Sequence, residues 1–162
     1  MIAGSYFCRI QDIEDYSDYH IKKFEELLES TKRARQLLKK YSFLIGYSNY
    51  TFEVWIIAHK AQVKSVANRS QYYTQINKAY NKSFVSNDDY KHKKNFESVL
   101  HMLSLDDVIK NALPECVRFR NMNYKNNKNL IQLKYGFGYI KSDPDTTLDE
   151  FIKIVLKNAG LL

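Results

Sequence analysis

The 162-residue chain is poor in the residues that staple or interrupt a fold. Two cysteines, Cys8 and Cys116, cannot build a disulfide framework and point to a reducing compartment. Five glycines and two prolines exclude a collagen-like or linker-rich chain. No run approaches the roughly 18 consecutive apolar residues that a membrane helix needs. The first apolar residues run into Asp12, Glu14, Asp15 and Asp18, so no signal peptide is expected. The four histidines, His20, His59, His92 and His101, are scattered, and none has a His or Cys three or four residues away. With no CxxC and no HExxH, neither a metal site nor a cofactor is expected. Gly136 and Gly138 give GxG without a third glycine, and no GK[ST] follows, which excludes a phosphate-binding loop. A G-x-S-x-G nucleophile elbow is missing too.

Hydrophobic residues make up 44% of the chain and aromatics 14%, which is too apolar for a disordered protein. One cytoplasmic domain over residues 1–162, without a membrane, is the expectation. Charge is unevenly spread. Residues 31–134 hold nineteen basic and seven acidic side chains, against three and seven in residues 1–30 and three and four in residues 135–162. A basic body between acidic flanks attracts anionic partners, nucleic acid first among them, although lysines also keep a helical surface soluble.

The periodicity predicts an all-α helical bundle with two long antiparallel helices and several shorter ones. Ile10, Ile13, Ile21, Phe24, Leu27, Leu28, Ala34, Leu37, Leu38 and Tyr41 recur at three-to-four spacing in the first long helix, with Glu29–Arg33 as an exposed pair. Gly46 marks its end. A second long helix is expected over about 49–82, carried by Val54, Ile57, Ala58 and Ala61. Residues 83–94 read as a polar loop, with His92 solvated between lysines. Ser104 with Asp107 resembles a capping box, and Pro114 suits the first turn of a helix over 114–124. LIQLKYGFGYI at 130–140 is the one β-like stretch, a hairpin or arm. Thr147 with Glu150 predicts the start of a last helix, and Gly160 its stop.

Cys116 lies near Arg118 and Arg120, but its helical spacing suits a core thiol better than a nucleophile. The carboxylate pairs Asp88–Asp89 and Asp106–Asp107 sit where caps are needed. The segment with most binding chemistry is PECVRFRNMNYKNNK at 114–128. On a helix Arg118, Asn121 and Lys125 share a face, and Arg120 and Tyr124 stand four apart. Arginine grips phosphate in a bidentate fork, while Asn and Tyr supply base-edge and stacking contacts. Lys128 and Lys134 extend this edge, for which the alternative is a solvated helix end.

Long helices followed by shorter ones, LLKKYSFLIGYSNYTFEVW at 37–55 with a Glu inside an apolar helix, and Arg120-Asn121 on a late helix together resemble HEPN-like helical domains. That resemblance implies a metal-independent ribonuclease or RNA-directed toxin of a defence or counter-defence system, often dimeric. Arg120, Tyr124 and Lys125 would then be the catalytic group and Arg118, Asn121, Lys128 and Lys134 the nucleic-acid contacts. The family's His four to six residues after the Arg is absent: Lys125 occupies that place, and no His follows His101. Two other readings stand beside it. One is a non-catalytic adaptor that binds a protein partner or a second copy through its aromatic surface. The other is a non-specific basic nucleic-acid-binding protein.

Overall fold

A computed structural model describes residues 6–13, 17–39, 41–49, 51–125, 130–132, 138–140 and 144–162. The chain opens with strand β1 (Tyr6–Ile13), crosses over through helix α1 (Asp18–Leu37) and returns as β2 (Ser42–Asn49), parallel to β1. The first expected helix is therefore a β-α-β unit. Aromatic and β-branched residues at 6–13 and 42–49 favour pleated backbone, and their short runs also fit a helical stripe, hence the different expectation. Among the described residues only α1 is a long helix, 20 residues. It buries Phe24, Leu27 and Leu28 against Tyr47 of β2 and keeps the Glu29–Arg33 pair at 2.6 Å. Leu37, at its end, is 82% exposed. Gly46 lets the other face of the sheet be approached closely: a Cβ there would meet the Leu148 side chain at 3.0 Å.

The second expected long helix is interrupted. Helix α2 (Glu53–Ala58) is six residues long and wholly buried, with Glu53 inside the apolar stretch. From Lys60 to Asn68 the chain is irregular, because side chains elsewhere satisfy its backbone groups. The Lys64 N–H donates to Gln75 Oε1 at 3.0 Å, Gln75 Nε2 donates to the Lys64 carbonyl at 2.7 Å, and the Val63 N–H donates to Glu115 at 2.7 Å. Asn68 and Gln71 form a reciprocal capping box that opens a 3₁₀ turn (Arg69–Gln71) and then α3 (Tyr72–Tyr80). Asn81 closes α3 in the left-handed region at φ 51°.

The expected polar loop holds α4 (Asn87–Lys91), capped by Ser86, and leads into α5 (Lys93–Leu100). The Ser104 hydroxyl accepts from the Asp107 N–H at 3.1 Å, as its spacing predicts, and starts α6 (Leu105–Asp107). A π-helical turn (Val108–Ala112) joins this to α7 (Leu113–Lys125), with Pro114 in its first turn. Strands β3 (Leu130–Gln132) and β4 (Gly138–Ile140) pair antiparallel, the expected arm. The β5 strand (Asp145–Thr146) pairs antiparallel with the end of β2, giving the sheet order β1-β2-β5. The last helix, α8 (Leu148–Asn158), begins as predicted, but the Thr147 hydroxyl does not cap it; it accepts from the Tyr47 N–H at 3.1 Å. Gly160 takes φ 69° just beyond the helix.

The protein is thus mostly helical around a small three-stranded sheet, not all-α, and the described residues show one long helix, α1, rather than a pair of long antiparallel helices. Its main core joins Trp55, Ile56 and Ile57 of α2 to Tyr72, Ile76 and Tyr80 of α3 and to Leu113, Cys116 and Phe119 of α7. A smaller core lies between α1 and β2.

Candidate functional site

Helix α7 carries most of the sequence-predicted residues and separates them. Cys116 is fully buried, and burial pushes its thiol far above the ordinary range, so it serves the core. Arg118 is held by a bidentate pair to Glu115, both bonds 2.6 Å, and Glu115 also caps the Val63 N–H. Arg120 turns inward. Its side chain is 15% exposed, pairs with Asp149, lies 3.1 Å from Glu150 and 3.9 Å from Asp145, and donates to the Thr146 carbonyl.

This is a buried charge cluster at the junction of β5, α7 and α8. Asp149 has no exposed surface and takes Lys153 at 3.0 Å as a second cation. Asp145 accepts from the Tyr47 hydroxyl, and burial pushes its carboxyl up to about 6 despite that bond and Arg120. Each charge is neutralised within the protein, so Arg120 acts as an internal tie between α7 and α8. The exposed part of the predicted edge is Asn121, Tyr124 and Lys125, with Tyr124 half in solvent. Lys128 and Lys134 lie outside the described residues.

A second constellation forms where the parallel strands end. Open α/β sheets bind ligands beyond the carboxyl ends of their strands, where the connecting segments diverge. Here a cleft of about 300 Å³ is lined by Asp12 of β1, by Thr51, Phe52 and Glu53 leading into α2, and by Lys91 and Phe96 from α4 and α5. The Thr51 hydroxyl donates to Glu53, which fixes that carboxylate against the wall. Lys91, His92, Lys93 and Lys94 are all exposed, so a run of three lysines around His92 passes the cleft at its Lys91 end. Two half-buried aromatic rings, a lysine and two carboxylates thus face one space. Aromatic faces take bases, the lysines take phosphates, and carboxylates accept from base amino groups.

Sequence reasoning did not single out this cleft, because its lining comes from four separate segments. The one local signal was the KHKK run at 91–94. Among the described residues, no group of three or more His, Cys, Asp or Glu is arranged to hold a metal ion. Nor is any described helix long and apolar enough to cross a membrane.

The model of the RloB-like protein family matches residues 6–155, and the chain belongs to that family. The match spans the β-α-β unit, the cleft and the charge cluster of Arg120. No curated protein and no solved structure matches.

Proposed function

We propose that this RloB-like chain is an RNA-associated protein that binds a single strand in the cleft at the carboxyl ends of β1 and β2. The observation that carries this reading is Phe52 and Phe96 in one cleft with Lys91, beside the exposed Lys93 and Lys94. Aromatic platforms beside a cationic track suit single strands, whose unstacked bases are free to enter. Asn121, Tyr124 and Lys125 form a second contact edge on α7. The basic middle of the chain supplies the long-range attraction. The setting is the defence- or toxin-type one that the HEPN-like resemblance implies.

In this reading the protein binds RNA rather than cleaving it through Arg120. That guanidinium is committed to Asp149, Asp145 and Glu150, so a scissile phosphate would have to displace internal carboxylates. Photo-crosslinking a labelled single-stranded RNA to the purified protein, followed by peptide mapping, tests the site. Crosslinks on peptides holding Phe52 or Phe96 support the cleft. Crosslinks confined to the peptide holding Tyr124 move the site to α7, and none at all removes the reading. Incubating total RNA with the protein, with Mg²⁺ and with EDTA, tests the activity: the RNA stays intact if the chain only binds.

A further inference from the structure

We infer that the cleft at the ends of β1 and β2 is a pocket for one base of the strand, and that Glu53 makes it select guanine. The inference rests on the RNA-binding reading above and names what that site prefers. Four carboxylates are buried among the described residues: Glu53, Glu115, Asp145 and Asp149. Three of them have cations within the protein, since Glu115 pairs with Arg118 and both aspartates with Arg120. Glu53, 6% exposed, pairs with no cation among the described residues. The Thr51 hydroxyl, donating to Oε2, is its one hydrogen-bond donor there. A carboxylate has about four acceptor sites, and burying one without partners is costly. Glu53 lines the cleft, so the missing donors come from what enters it.

The frame around this carboxylate is fixed. Glu53 belongs to α2, whose Ile56 carbonyl accepts from the Tyr80 hydroxyl at 2.6 Å, and the His59 carbonyl just beyond accepts from Asn111 at 2.9 Å. Phe96 sits edge-on against the fully buried Tyr90, with ring centres 5.7 Å apart. The cleft, about 300 Å³, is at the low end for ligand pockets, which suits one base between Phe52 and Phe96 with its phosphates outside at the lysines. Base edges differ in what they offer a fixed carboxylate. Guanine carries two donors side by side, N1–H and the 2-amino group, which meet the two oxygens of one carboxylate. Adenine and cytosine set one amino group beside a ring-nitrogen acceptor, and uracil sets its single N–H between two carbonyls. In each of those three an acceptor lone pair faces the carboxylate and weakens the contact.

Fluorescence anisotropy with short uridine oligomers that carry one central test base reads the preference without any change to the protein. Guanine in that place is expected to bind about tenfold tighter than adenine, cytosine or uracil, within the range for a bidentate base contact. Hypoxanthine, which keeps N1–H and lacks the 2-amino group, loses most of that gain. Glu53→Gln, checked for an unchanged circular dichroism spectrum, binds the guanine and all-uridine oligomers alike. Equal affinity of the unmodified protein for all four bases overturns the inference and leaves the RNA-binding reading standing, whereas no binding to any oligomer removes both. A guanine preference that hypoxanthine or the folded Glu53→Gln variant keeps in full overturns the role given to Glu53. The hypoxanthine comparison decides the matter even where the variant does not fold.

Discussion

Asp149 has no exposed surface and is paired with both Arg120 and Lys153. Removing one partner of a buried pair leaves an uncompensated charge, at a cost of about 3–5 kcal/mol. Arg120→Ala is therefore expected to lose stability of that order in urea unfolding, whereas Lys125→Ala, on the exposed end of α7, stays within about 0.5 kcal/mol. Weaker RNA binding by Arg120→Ala would report unfolding rather than a missing phosphate ligand. Asp145 gives a pH signature. Its carboxyl titrates near 6 in the folded protein and near 3.8 unfolded, so the folded state holds the proton more tightly. The stabilisation from this group is complete below about pH 4 and is lost as pH rises through about 6. Melting curves of the unmodified protein and Asp145→Asn should converge toward acid and separate toward neutral pH, with Asp145→Asn the more stable at pH 7. Equal separation at every pH would refute this. At this scale the sequence was informative about residue types and silent about partners. Arg118 and Arg120 were identified as cations, but their acids stand at 115 and at 145–150, and only folding brings the latter group to α7.

Local signals located the short elements well, because caps and prolines act within one turn. Ser104, Pro114 and Gly160 each sit where their chemistry places them. The long elements were not legible in the same way. A stripe of Ile, Phe and Leu fits both a helix and a pair of short strands, and the choice at 6–13 and 42–49 is made by pairing between residues 36 apart. The break after α2 likewise depends on Gln75 and Glu115, distant acceptors and donors that satisfy an irregular backbone. The restart at Asn68 is local and testable. Asn68→Ala removes the side-chain half of the capping box and leaves the backbone N–H of residue 68 donating to Gln71; it should cost about 0.5–2 kcal/mol, measured as a lowered urea midpoint with an unchanged m-value. A midpoint identical to that of the unmodified protein would show that the 3₁₀ turn is held by packing alone.

Across the whole molecule, a formal charge of +7 is divided so that most basic residues lie between positions 31 and 134. The fold exposes three of those lysines, Lys91, Lys93 and Lys94, around His92, next to a cleft whose lining includes Asp12 and Glu53. The cleft was beyond reach of sequence reading because β1, the entry to α2, α4 and α5 meet there only in three dimensions. Binding that rests on neutralised phosphates releases counterions, so its dependence on salt counts those phosphates. Fluorescence anisotropy of a labelled single-stranded RNA, titrated at several salt concentrations with the unmodified protein and with Lys91→Ala/Lys93→Ala/Lys94→Ala, measures this directly. Binding is expected to weaken steeply with salt, and the salt slope to fall by about 0.7 for each phosphate that the triple variant no longer neutralises. An identical slope and affinity in the two proteins would contradict RNA binding at this cleft.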